Sequence, residues 1–414
     1  MGERRTMRAT HNFRTDRRLA RKMAAAVVFL GFLGGACASE PPPVPPAKDG
    51  GFDPDLGQQP SEAVYAERGP FAVGVTTVEV EPGRDMEIWY PASPASAVGL
   101  APEVYHIRDF LSPELSALLA PNVNPPFVTG AVRALPVSTA GPFPLVLFSH
   151  GTMSYRSQSS TLTSHLASWG FVVMSPDYFE RGLQSLLGTA PAPAKSNAAI
   201  TDLAMTAIEA ANASGPLAGA IDTSRLFPIG HSAGGFQSTE LAGTRTDVQS
   251  WIVLSAGVNL TPTIFNPSPK VPAALGNASK NVMWLTGEID GVAQLPSVEN
   301  GYRYSAGERK IVVISGAGHN NAVTDICEIG RPEGGLIGLA QSGGLFLPDS
   351  VINLAQNGCI VPPNKLSPDV WPITHHFVTA ELRYRSGLDP VPVGLGSGVV
   401  SAFAPGAVTY RHEE

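Results

Sequence analysis

Short apolar runs alternate with amphipathic stretches along most of this chain. Residues 76–80 and 86–90 alternate or run apolar on either side of Glu81-Pro82-Gly83-Arg84-Asp85, the pattern of two half-buried strands joined by a turn. Residues 144–149, 171–175, 251–255, 282–286 and 311–315 are continuous apolar runs, as expected of strands buried on both faces of a parallel sheet. Residues 223–229 read as another strand, with Pro228 an irregularity in it. Helical patterns lie between the runs: 160–169, closed by Gly170, then 196–213 and 236–242. Near the end, Ile373, Phe377, Ala380 and Tyr384 share one helical face, and Gly387 is placed to terminate that helix. Strands alternating with helices at this spacing predict an α/β fold, a mostly parallel eight-stranded sheet with helices on both faces.

Residues 92–143 are long for a connection. They contain a predicted helix at 112–119, with Ser112 as its cap and Pro113 in the first helical position. The segment reads as a flap over a pocket or as surface decoration. The link between the strands at 251–255 and 282–286 is too short for a large helical cap. The pocket is therefore expected to be comparatively open unless 92–143 closes it.

The N-terminus changes the picture. Arg4, Arg5, Arg8, Arg14, Arg17, Arg18, Arg21 and Lys22 precede an apolar run at 23–33, which suits an export signal and is too short to span a bilayer. Ala36-Cys37-Ala38 offers cleavage after Ala38; Leu33-Gly34-Gly35-Ala36-Cys37 offers a lipoprotein signal with Cys37 lipidated. The Leu lies one place too far from Cys37 for the usual lipobox. Residues 1–38 thus read as the signal and 39–65, rich in Pro, as an extended linker. Residues 66–414 are expected to form the folded domain, with 92–143 inserted. The protein is expected outside the cytoplasm, tethered to a membrane through Cys37 or released. In that oxidising setting Cys327 and Cys359 either pair or are two unrelated buried thiols.

The 414 residues carry a net charge of −7, with 43% apolar and only 15% charged residues, which argues against nucleic acid as a partner. No Cys or His spacing suits a zinc site, and the oligomeric state is left open.

The chemistry centres on Phe227-Pro228-Ile229-Gly230-His231-Ser232-Ala233-Gly234-Gly235. A strand that turns at once into a helix through Gly-x-Ser-x-Gly lifts the Ser232 hydroxyl to the sheet's tip as a nucleophile. Active groups collect at the carboxyl ends of such strands. There stand Gly287-Glu288-Ile289-Asp290-Gly291 and Gly316-Ala317-Gly318-His319. His319 is the expected base and Asp290 the acid that orients it, with Glu288 as second choice. The backbone N–H groups of Thr152 and Ala233 are the expected oxyanion donors. His150, Gly151, Tyr155, Tyr178 and His231 are candidate pocket residues; His106, His165, His375 and His376 read as packing or surface. No cofactor or metal is needed for this chemistry.

The chain resembles the α/β-hydrolase superfamily, and within it the bacterial dienelactone-hydrolase and platelet-activating-factor-acetylhydrolase-like group related to cutinase-type polyester hydrolases. The resemblance runs from Gly69 to Leu388 on Gly69-Pro70-Phe71, Ile88-Trp89-Tyr90-Pro91, Phe148-Ser149-His150-Gly151, Ser175-Pro176-Asp177, the Ser232 motif and Gly316-Ala317-Gly318-His319. It implies a serine carboxylic-ester hydrolase with a Ser232–His319–Asp290 triad, an acyl-enzyme and a small or polymeric ester substrate. Phospholipid, lactone and polyester hydrolysis are alternatives on the same residues, and a tethered non-catalytic binding protein is an alternative of another class. The chain departs from the group at Thr152, where an aromatic or bulky residue is common, and at Ala233, where polyester hydrolases often place Met.

Overall fold

The computed structural model describes residues 63–117, 119–120, 123–186, 193–262, 268–344 and 346–414. The export signal, Cys37 and residues 39–62 of the linker lie outside the described residues.

In chain order the main elements are β1 (Ala72–Glu81), β2 (Arg84–Ala92), β3 (Val104–His106), β4 (Pro126–Val128), β5 (Val132–Arg133), β6 (Phe143–Ser149), α1 (Ser160–Ser168), β7 (Val172–Pro176), α2 (Asn197–Ala213), β8 (Ile221–His231), α3 (Ala233–Thr244), β9 (Ser250–Leu254), β10 (Asn281–Gly287), α4 (Leu295–Tyr304), β11 (Arg309–Ile314), α5 (Gly335–Ser342), α6 (Asp349–Gln356), α7 (Ser367–Ser386) and β12 (Val408–Glu413). One sheet has the order β12-β11-β10-β9-β8-β6-β7-β2-β1-β5. From β11 to β7 every neighbouring pair is parallel; β12 and the β1–β2 hairpin add antiparallel pairs at the two sides.

The sheet has ten strands where eight were expected. The additional two are edge elements without a continuous apolar run. β5 is two residues long, and β12 alternates buried and exposed positions, so its sequence reads as a polar tail.

The continuous apolar runs are strands covered on both faces. In β6, Val146 and Phe148 point into the layer packed by α1 and α7, while Leu145 and Leu147 enter the layer packed by α2, α3 and α4. Each such buried side chain contributes roughly 1.5–3 kcal/mol relative to exposure. Pro228 is accommodated because pairing of β8 with β9 begins one residue later, at Ile229.

Two sequence boundaries move. Tyr65 belongs to the folded domain rather than the linker. It is buried, donates through its hydroxyl to Asp389 and packs edge-on against Trp169. The helix expected at 112–119 is a single turn, Pro113–Ser116. Arg108 explains the shortening: its guanidinium takes the carbonyls of Ser116, Leu119, Ala120 and Val123, which a continuing helix would not leave available.

Candidate active site

β6 leaves the sheet between β7 on one side and β8 on the other, so the crevice at their carboxyl ends is the switch point where ligands bind in open α/β sheets. Ser232 follows β8 there with φ 55° and ψ −119°, a conformation rare for a residue with a side chain. The turn is tight enough to demand glycine on both sides. A Cβ on Gly230 would lie 1.9 Å from the Gly234 carbonyl oxygen, and one on Gly234 would lie 1.9 Å from that of Ser149.

β10 and β11 end equally close together: a Cβ on Gly287 would lie 2.1 Å from the Ala317 oxygen. That approach brings Asp290 to His319, whose Nδ1 is 3.0 and 3.1 Å from the two carboxylate oxygens. Burial opposes the charge on Asp290, but His319 and the N–H groups of Val292 and Ala293, both at 2.8 Å, hold its carboxyl below the usual value. Glu288, the second choice, is exposed and accepts from the Ser315 hydroxyl instead. His319 Nε2 has no partner among the described residues and is buried in the site whose cavity Ser232 and His319 both line. Among the described residues the N–H groups of Thr152 and Ala233 also have no partner.

The cavity is about 150 Å³. Gly151, Thr152, Tyr155 and His231 line it. Residues 92–143 do cover it, through Ile107, Leu111, Leu119 and Val123, and Phe110 of this segment stacks on Tyr155. His150 and Tyr178 are not at the cavity. Both are buried beneath it: His150 Nε2 accepts the Tyr178 N–H, and the Tyr178 hydroxyl accepts from Gln237. Burial, together with nearby Arg181, pushes His150 well below the ordinary histidine value, so it is a neutral framework residue.

A second wall of the cavity comes from a segment that sequence reasoning did not assign to it. A roof rises after β11, where α5 contributes Leu336, Ile337 and Leu339, and α6 contributes Val351 and Leu354. Its ends are fastened. Cys327 and Cys359 form a disulfide, and Asp325 accepts from Thr161 N–H and the Ser160 hydroxyl at the start of α1. Burial raises the Asp325 carboxyl to about 6.

Sequence reasoning missed Gln158. It is fully buried, accepts the Gly151 N–H at 2.9 Å and lies 3.1 Å from His231 Nδ1. His231 Nε2 in turn lies 2.9 Å from the His319 carbonyl oxygen. These partners assign the His231 proton to Nε2, with Nδ1 accepting from Gln158. Burial, aided by His319, lowers His231 to about 3, so it stays neutral. The position of Gln158 in a Ser-rich stretch carries no signal of this role. Nor did sequence reasoning single out Asn357, two places before Cys359.

Sheet order, elbow and the acid and histidine at later strand ends make this an α/β-hydrolase fold. Residues 106–264 match the chlorophyllase family model. Among solved structures the chain is similar to a ferulic acid esterase from Streptomyces cinnamoneus, with a TM-score of 0.53 and 19% identity over 86% of this chain and 98% of that one. No curated protein matches the chain.

Proposed function

We propose that the protein is an exported serine carboxylic-ester hydrolase. The observation that carries this reading is the buried His319–Asp290 pair, with Nε2 left unpartnered in the cavity that Ser232 enters from a strained elbow. The partial match to the chlorophyllase family and the likeness to a ferulic acid esterase support ester hydrolysis as the class.

His319 Nε2 takes the Ser232 proton as Oγ bonds to the ester carbonyl carbon. The carbonyl oxygen becomes an oxyanion received by the N–H groups of Thr152 and Ala233, each contributing roughly 3 kcal/mol to lowering the barrier. The C–O bond to the alcohol then breaks, His319 returns the proton to the leaving oxygen, and Ser232 holds the acyl group. Water, deprotonated by His319, repeats the sequence and releases the acid. Asp290 holds the ring and stabilises its protonated form throughout.

The cavity supports a neutral ester with an aliphatic portion. No Asp, Glu, Lys or Arg lines it among the described residues, and its walls are mainly Leu, Ile and Val. That lining favours such esters over phospholipids with charged headgroups. Export rests on residues 1–38, and the Cys327–Cys359 disulfide supports it. A membrane tether through lipidated Cys37 is the form of export we favour, because the linker begins there.

Ser232→Ala tests the assignment. It should abolish hydrolysis of a short-chain p-nitrophenyl ester and labelling by a fluorophosphonate, with the fold retained by circular dichroism. Undiminished turnover would overturn the assignment. A wild-type protein that the probe does not label would revive the binding-protein alternative.

A further inference from the structure

Asn357 lies just beyond α6, outside the reacting groups, yet both catalytic loops rest on it. Its side-chain oxygen accepts the backbone N–H of His319 at 2.8 Å and that of Gly291 at 3.3 Å. Gly291 is the residue after Asp290, so one oxygen holds the loop of the acid and the loop of the base. The main chain repeats the attachment. The Asn357 carbonyl accepts the Asn320 N–H and the Asn320 side-chain amide, each at 3.0 Å.

The next residues make the contact tight. Gly358, at φ 97°, packs so closely that a Cβ on Gly318 would lie 2.6 Å from its Cα. Cys359 is then bonded to Cys327, which closes the roof segment at its base. The preceding helix presents Val351 and Leu354 to the cavity. The roof over the pocket therefore ends on the acid–base pair.

Asp290 and His319 reach each other from separate strand ends, and their 3.0 Å contact survives only if those loops keep their spacing. A catalytic constellation tolerates errors of roughly 0.5 Å. We propose that Asn357 is a positioning residue: from the foot of the pocket roof it clamps the Asp290 and His319 loops together, and the Cys327–Cys359 disulfide fastens it there. The kinetic consequence rests on the ester-hydrolase reading; the clamp itself does not.

The test compares Asn357→Leu and Asn357→Asp with the wild-type chain. Asp keeps an acceptor oxygen for both N–H groups, whereas Leu has none. With a short-chain p-nitrophenyl ester, Asn357→Leu should lower kcat about tenfold to a hundredfold with KM little changed. Asn357→Asp should recover most of that loss. Amide hydrogen exchange, read independently of turnover, should show lost protection at His319 and Gly291 in Asn357→Leu and retained protection in Asn357→Asp. Equal kcat losses in the two variants, unchanged kcat in Asn357→Leu, or unchanged protection at both amides would overturn the proposal. If the wild type hydrolyses no ester, the functional reading falls, and the exchange comparison still decides the clamp.

Discussion

Gln158 accepts the backbone N–H of Gly151 at 2.9 Å from a fully buried position. Its amide nitrogen, 3.1 Å from His231 Nδ1, carries the link onward to the residue before Ser232. In the proposed reaction the peptide between Gly151 and Thr152 presents the second oxyanion donor, and Gln158, which also lines the cavity, holds the peptide just before it. We expect Gln158→Met, which fills similar space without either hydrogen bond, to lower kcat by about tenfold to a hundredfold while KM changes less, because the donor matters most in the transition state. Steady-state kinetics on a p-nitrophenyl ester check this; a variant with wild-type kcat would show that the loop holds its angle unaided.

The elbow stores strain. Ser232 sits at φ 55° and ψ −119°, and backbone of this kind costs a residue with a Cβ roughly 1–3 kcal/mol. Ser232→Ala keeps the cost; Ser232→Gly removes it, at an entropic penalty of roughly 0.5–1 kcal/mol in the unfolded chain. The glycine variant should therefore be about 1 kcal/mol more stable than the alanine variant, and both should be inactive. Denaturant unfolding of the pair measures the difference, and equal midpoints would mean that the turn carries no strain.

Acid stability should be limited by the packed histidines. His165 and His375 stack at 4.2 Å between ring centroids, and His376 stacks on Tyr65. Burial, with Arg68 next in effect, lowers His165 to about 3; burial lowers His376 to about 4 and His375 well below its ordinary value. The unfolded chain, with histidines near 6.5, binds more protons than the folded one below that pH. These groups therefore contribute stability that is full above about pH 6.5 and is lost as pH falls toward 4 and then 3. His375→Phe, which retains a ring for stacking, should flatten the fall in unfolding free energy between pH 7 and pH 4. An unchanged slope would remove His375 from the account.

Much of the site could be read before any coordinates. Gly230, Ser232 and Gly234 declare a strand-to-helix turn because that turn tolerates few residue types. Asp290 and His319 follow strands marked by continuous apolar runs, and the runs are legible because both faces of the sheet are covered. Asp290 was preferred to Glu288 there, with Glu288 kept as second choice. They are two residues apart in one loop, and only the fold buries one against His319 and leaves the other exposed.

The roof, Gln158 and Asn357 were not legible, for two reasons. Leu336, Ile337 and Val351 look like any amphipathic helix residues, since a pocket wall and a core face use the same side chains. Gln158 and Asn357 act on backbone N–H groups, at Gly151, His319 and Gly291, which leave no trace in residue identity. His150 and Tyr178 show the converse: residues beside the motifs, read as pocket, turn inward to brace one another.

Chain order by itself determined where the eight longer apolar strands lie, which serine is raised at the sheet's tip, and which acid and histidine groups stand at later strand ends. Those depend on local sterics and on apolar periodicity, both written along the chain. Tertiary structure decided that Asp290 meets His319, that two distant segments roof the cavity, and that Cys327 pairs with Cys359. Such contacts join residues far apart in sequence, and their geometry exists only once the sheet has brought the strand ends together.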